Sequence, residues 1–368
     1  RPVAEHCGIW RAPPSRFRSV TDDAPQPQPH RRRPRYRGTH PRRFEEKYKE
    51  LAPEAHPELI EHVRSRGMTP AGQHVPILVD EVLAALALAP GKRGVDCTLG
   101  YGGHARRVLE RITPGGALLG LDQDPLELPK TLERLRKLGF DESALSVRRT
   151  NFAGLPAALH DQGWQDGVDF LFADLGLSSM QIDDPARGFT FKFDGPLDMR
   201  MNPARGVSAA QWLAAASVAE VERALAENSD EPLARDLARV LAGRREPLGT
   251  TQRLAEVVRQ ALPARYGDDD RDATVRRVFQ AIRIEVNDEF GVLDALLRFA
   301  PQVLRSGGRI AVLSFHSGED RRVKRAFARG LADGIWSATN DEVIRPTPAE
   351  RRSNPRSGPA KLRWAARA

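Results

Sequence analysis

Residues 94–104 read Gly-Val-Asp-Cys-Thr-Leu-Gly-Tyr-Gly-Gly-His, and their reading decides the fold. A short apolar strand runs into a glycine turn, and the turn opens a helix. Glycines at 100, 102 and 103 let the backbone take positive φ and approach a ligand closely. Working outward, Ala117–Leu121 is a second strand that ends at Asp122, 20 residues past Gly102. In a doubly wound sheet a carboxylate there reaches a pair of ribose hydroxyls. The alternation continues. Helices are predicted over Ile77–Leu88, Ala105–Arg111, Pro125–Leu138 and Leu155–Gln162. Strands are predicted over Leu145–Arg148 and Val168–Ala173, the latter ending at Asp174. Alternating strands and helices argue for a mostly parallel sheet covered on both faces, a Rossmann-like α/β fold.

The rhythm breaks after Asp174. Residues 175–206 are loop-rich, and helical patterns follow to about residue 299, with Ser208, Ser217, Thr250 and Thr274 as expected N-caps. Strand texture returns at Arg309–Ser314. The expected organisation is therefore a basic extension over 1–72, a first part of the α/β domain over 73–204 and a helical insertion over 205–285. The second part, over 286–368, ends in a basic, Pro-rich tail. Residues 1–40 nearly lack aliphatics and are expected to be a disordered arm without a secretory signal. A cytoplasmic location is expected. An organelle transit peptide is the competing reading, against which stand Glu5, Asp22 and Asp23.

Of 368 residues, 40% are hydrophobic, enough for a large core. No apolar run is long enough to span a membrane. Cys7 and Cys97 are the only cysteines, which excludes a disulfide framework. The formal net charge of +8 suits a polyanionic partner. Basic clusters at Arg31–Arg37, Arg42-Arg43, Arg321–Arg325, Arg351–Arg356 and Lys361–Arg367 are read as RNA phosphate contacts. Asp183-Asp184 reads as a turn pair, and no metal site is expected.

Two ligands fit the glycine turn. Gly100, Gly102 and Ala105 satisfy a dinucleotide fingerprint, so a nicotinamide-dependent oxidoreductase competes. S-adenosylmethionine is favoured because Asp96, just before the glycines, can meet its cationic amine. Asp174 moreover sits at the strand end where a transferred methyl must lie. An exocyclic base amine is a poor nucleophile, and acceptors for its N–H bonds would orient it. Asp198 and Asn202, in the run Asp-Met-Arg-Met-Asn, and His316, after a late strand, are further candidates for that wall. A non-catalytic RNA-binding ribosome-assembly factor is a third reading.

Seven stretches then occur in order that together resemble a known family: HVPILVDEVL (74–83), DCTLGYGGH (96–104), LDQDP (121–125), ADLGLSSMQIDDPARGFTFKFDGPLDMRMNP (173–203), VFQAIRIEVNDE (278–289), SGGRIAVLSFHSGEDRRVK (306–324) and NPRSGPAKLR (354–363). The chain resembles the bacterial 16S ribosomal RNA (cytosine-N4)-methyltransferases from about residue 74 onward. The resemblance implies a class I S-adenosylmethionine-dependent methyltransferase with a helical insertion for substrate recognition, acting on a cytosine of the decoding region. The partner it implies is small-subunit ribosomal RNA, within a subunit or assembly intermediate. It also implies cofactor contacts at Gly102, Gly103, His104, Asp122, Phe152, Asp174 and Gln181. Departures from the family pattern fall at Met180, at Gly318, at Glu227–Glu231 and in a shortened stretch between Phe327 and Ile344. The front extension lies outside the resemblance. Oligomeric state is left open, a homodimer included.

Overall fold

The computed structural model describes residues 76–368 except 243 and 245. The expectations for residues 1–72, with their two basic clusters, lie outside the described residues.

The first half follows the alternation read from the sequence. Its elements are α1 (Val79–Leu86), β1 (Arg93–Asp96), α2 (Gly103–Ile112), β2 (Ala117–Asp122), α3 (Glu127–Lys137), β3 (Leu145–Arg149), α4 (Leu155–Asp161) and β4 (Val168–Asp174). A short α5 (Ser179–Asp183) interrupts the loop that follows. Five helices come next: α6 (Ala209–Ala215), α7 (Val218–Ser229), α8 (Ala234–Leu241), α9 (Thr251–Ala261) and α10 (Asp268–Asn287). Then α11 (Glu289–Val303) leads into β5 (Leu304–Ser314), α12 (Ser317–Ala332), β6 (Trp336–Thr339), α13 (Pro348–Ser353) and β7 (Lys361–Arg367).

The seven strands form one sheet in the order β3-β2-β1-β4-β5-β7-β6. All neighbours are parallel except β7, which runs antiparallel to both β5 and β6. Strand alternation splits the core into two layers. Phe170 and Phe172 of β4 join Leu83, Val108, Leu109 and Leu135 on the face covered by α1, α2 and α3. Leu171 and Ala173 join Leu155, Leu159, Leu296 and Phe327 on the opposite face, under α4, α11 and α12. Each such large side chain, fully buried, contributes about 1.5–3 kcal/mol.

Helices α6 to α10 bury their own apolar cluster, with Leu213, Leu225, Leu237, Leu254, Val258 and Ile282 at its centre. Phe189, Leu197, Met199 and Met201 enter the same cluster, so part of the loop before residue 205 packs with the helices. Ser208, Ser217 and Thr250 cap their helices as expected. Thr274 does not: α10 begins earlier, at Asp268, where three aspartates in its first turn complement the helix dipole, and Thr274 is fully buried within it.

The carboxy-terminal basic tail is a second correction. Residues 361–367 form the penultimate strand of the sheet, with Leu362 and Ala365 fully buried. Their basic residues are spent inside the fold. Lys361 and Arg363 donate to Asp320 of α12 at 3.0 and 2.6 Å, and Arg367 to the carbonyls of Pro301 and Ile335. Among the described residues no helix is long and apolar enough to cross a membrane.

Candidate functional site

At the carboxyl ends of β1, β2 and β4 the sheet opens into a cavity of about 740 Å³, walled on the far side by α10 and α12. Its floor is the glycine turn. Gly102 takes φ of +83°, and a Cβ there would lie 2.9 Å from the Thr131 methyl, so the position admits little but glycine. Thr131 ties the turn to α3 by donating its hydroxyl to the Gly100 carbonyl at 2.5 Å. The Gly102 N–H is spent on the Leu99 carbonyl. The free donors of the turn are therefore the first N–H groups of α2, starting at Gly103.

Four acidic side chains gather around this turn. Asp96 ends β1 almost fully buried, with one oxygen accepting from the Thr98 N–H at 3.0 Å. Burial pushes its pKa up to about 7. Asp122 ends β2 and accepts from the Gly100 and Asp124 N–H groups, each at 2.8 Å. Burial raises its pKa, although those two donors work against it. Asp124 is different: burial would raise it, but Arg187 and Gln181, at 2.7 and 2.9 Å, hold it below the ordinary carboxylate value. Asp174 ends β4. Its backbone N–H donates to Thr98 Oγ1 at 2.7 Å, and its Oδ2 lies 3.4 Å from His104 Nδ1. Its Oδ1 is buried without a hydrogen-bond partner among the described residues.

The other expected residues divide into two groups. His104, Phe152, Gln181 and His316 line the cavity with Asp96, Gly102, Gly103, Asp122 and Asp174. Phe152 is half-buried just after β3, in a turn capped by Asn151. Gln181 faces the cavity, but its amide is committed to Asp124 and to the Ser178 N–H. His316 caps α12 by accepting from the Glu319 N–H, and its Nε2 lies 3.2 Å from Glu319 Oε1. Asp198 and Asn202, by contrast, are absent from the cavity lining. Asp198 is turned away by a bidentate pair with Arg200 at 2.8 and 2.7 Å, and Asn202 accepts from the Ala204 N–H to close a turn. Their neighbour Met201 is the residue of that run that reaches the cavity, its N–H held by Asn287 at 2.8 Å. Asp183 ends α5 and pairs with Arg356 at 2.8 Å, so only Asp184 is a turn residue, capping the turn that follows.

The sequence reading missed a wall. Arg276, Gln280, Arg283 and Asn287 line the cavity from α10 at helical spacings of four, three and four. That polar stripe was present in the sequence. Arg283 is locked by a bidentate pair with Glu289 at 2.7 and 2.9 Å, whereas Arg276 is exposed and, among the described residues, bonds only the Asp272 carbonyl.

Residues 71–368 match the MraW methylase family. The chain is 46% identical over 345 residues to "Ribosomal RNA small subunit methyltransferase H 1" of Lachnoclostridium phytofermentans, covering 92% of this chain and 93% of that one. It is also 46% identical to the protein of the same name from Agathobacter rectalis, covering 92% and 98%. Residues 74–368 are only about four-fifths of the chain, so both matches run well into the front extension, which the sequence reading had placed outside any resemblance. Among solved structures, a putative rRNA methylase from Clostridium thermocellum matches 80% of this chain and 100% of that chain at 10% identity, with a TM-score of 0.39.

A methylase assignment sets aside the nicotinamide oxidoreductase reading. The methyl donor is S-adenosylmethionine, and the residues present fit it: a close-approach glycine turn, acids ending β1 and β2, and the Phe152 ring. With its match running through the whole α/β domain and the helices inserted in it, the chain belongs to the MraW methylase family.

Proposed function

We propose that this protein methylates the exocyclic N4 of a cytosine in the decoding region of small-subunit ribosomal RNA, in the cytoplasm, on a ribosomal subunit or assembly intermediate. The relatives' printed names support the RNA, and the chemistry of the cavity supports an amine target. The observation that carries the reading is Asp174 Oδ1, a buried acceptor without a partner at the end of β4. A buried acceptor left unpaired costs about 1–3 kcal/mol, a cost recovered when a donor arrives. A cytosine amine brings two N–H donors, whereas a hydroxyl or ring nitrogen brings at most one.

S-adenosylmethionine, when bound, supplies an electrophilic methyl group on a sulfonium. The chain's residues hold and orient the reactants. The α2 N-terminus at Gly103 and His104, with close approach allowed at Gly102, receives the amino-acid end, and Asp96 faces its cationic amine. Asp122 accepts the ribose hydroxyls, and the Phe152 ring packs on the adenine. Gln181 acts through Asp124, keeping the turn after β2 in place. Asp174 orients the cytosine amine, so that its lone pair points at the methyl carbon. The helical insertion, through the α10 stripe, recognises RNA, whose target base must leave its stack to enter such a cavity.

Asp174→Asn tests the reading. Asparagine keeps one carbonyl acceptor but turns an NH₂ donor toward the amine. Cofactor binding, measured by calorimetry, stays close to the parent's. Single-turnover methylation at saturating cofactor falls on the order of 100-fold. A full rate in this variant removes Asp174 from the chemistry and makes His316, which also lines the cavity, the next residue to test. Mass spectrometry of small-subunit RNA from cells with and without the protein tests the target. RNA binding without any methylated product would favour the non-catalytic assembly factor.

A further inference from the structure

The His104 ring is almost fully buried, with both nitrogens engaged. Its Nε2 lies 2.9 Å from the Ile77 carbonyl, which can only accept, so Nε2 carries a proton. Its Nδ1 faces Asp174 Oδ2 at 3.4 Å. A neutral ring protonated on Nε2 would set a bare lone pair against a carboxylate oxygen. The contact is attractive only if a second proton lies between them. The other groups around the ring are the Phe172 face, 4.8 Å between centroids, and the Asp96 carboxyl on β1, itself next to Asp122 on β2. Among the groups that bear on Asp96, His104 is the cation, and Asp174 and Asp122 are the like charges beside it.

We infer that His104 is a positioning residue: as an imidazolium donating to Ile77 and to Asp174 Oδ2, it holds Asp174 as a carboxylate with Oδ1 turned to the cavity. This rests on the reading of Asp174 as the amine acceptor. Burial alone would strip the ring of its extra proton, but the Asp174 contact outweighs it and lifts the imidazole above its ordinary pKa. Without that donor Asp174 Oδ2 would lose the contact that fixes which way its carboxyl faces. A protonated Asp174 presents a donor and loses its hold on the amine. During transfer the amine nitrogen's lone pair forms the bond to the methyl carbon as the carbon–sulfur electrons leave with sulfur. The surplus proton on nitrogen then passes to Asp174 Oδ1. The ring also links α1's lead-in at Ile77 to the reacting carboxylate, so the amino-terminal edge of the domain bears on the chemistry.

Two measurements decide the matter. The first is nitrogen NMR of the histidine rings in the intact protein, with His104 assigned by its loss in His104→Asn. At about pH 7 both His104 nitrogens are expected to carry protons. A singly protonated ring overturns the inference, whether or not the variant folds. The second is the pH profile of single-turnover methylation. In His104→Asn the acid limb moves to higher pH, giving a deficit of about tenfold for each unit of displacement that closes toward about pH 9. A deficit equal at every pH marks a merely structural histidine and overturns the inference. Should Asp174→Asn retain full rate while the imidazolium is observed, the acceptor reading of Asp174 falls and the proton-bearing pair stands.

Discussion

Arg187 Nη1 donates to Asp124 Oδ2 at 2.7 Å, and neither side chain is more than 9% exposed. The same guanidinium donates from Nη2 to the carbonyls of Met201 and Arg200 at 2.9 and 3.2 Å. One buried cation thus fastens the turn that follows β2 to the loop that delivers Met201 to the cavity. Removing one partner of such a pair strands the other charge. Arg187→Met is expected to cost about 3–5 kcal/mol, read as a lower urea midpoint at unchanged slope. An unchanged midpoint would show that the loop holds itself in place.

Asp96 makes cofactor binding depend on pH. Its pKa in the fold is about 7 against an ordinary 3.8, so the fold favours its protonated form. The stability this provides is complete below the ordinary value and is lost as pH rises through about 7. On the proposed placement, a cationic amine beside Asp96 requires that proton to leave. Affinity for S-adenosylmethionine should therefore weaken by up to tenfold per unit below about pH 7, with release of about one proton, and level off above. Calorimetry in two buffers of different ionisation enthalpy measures both. Equal affinity at about pH 6 and pH 8 would separate Asp96 from the amine.

Asp122→Ala should weaken cofactor binding by about 1.5–3 kcal/mol, the range for hydrogen bonds to a charged group. Part of that loss comes through the Gly100 N–H, which the carboxylate also holds. A calorimetric affinity unchanged within error would place the ribose elsewhere.

Arg363→Gln separates strand from tail. Since Arg363 of β7 pairs with Asp320 of α12 at 2.6 Å, the substitution should lower the melting temperature and leave the salt dependence of RNA binding alone. A salt slope reduced by about 0.7 or more would mean that Arg363 reaches a phosphate after all.

The pattern of hits and misses has physical causes. β1 to β4 are buried on both faces and separated by amphipathic helices, so their apolar runs announced them. The acids at 96, 122 and 174 could be expected along the cavity they line because each ends a strand, and such a sheet opens its crevice at the carboxyl ends of its strands. β7 was hidden because its basic residues suggest a solvated tail, while the acid that accepts two of them, Asp320, sits 41 residues away from Lys361. Asp198 and Asn202 fooled the reading because a polar run next to a site can close its own turn. The departures at Gly318 and Glu227–Glu231 are absorbed locally. A Cβ at 318 would lie 2.6 Å from Phe290, whose ring takes the space. Asn228 bonds Ala281 and Glu285, Glu231 pairs with Arg277, and Asp230 with Arg321.

β4 and β5 lie side by side although residues 175–303 separate them. Pairing two such distant segments is entropically slow when the intervening chain is loose. Here the intervening helices possess an apolar cluster of their own. They can condense before the sheet closes, so a formed body rather than a floppy loop brings β5 to β4. The insertion then serves the molecule twice, once as a wall of the cavity and once as the splint on which the second half of the sheet is assembled.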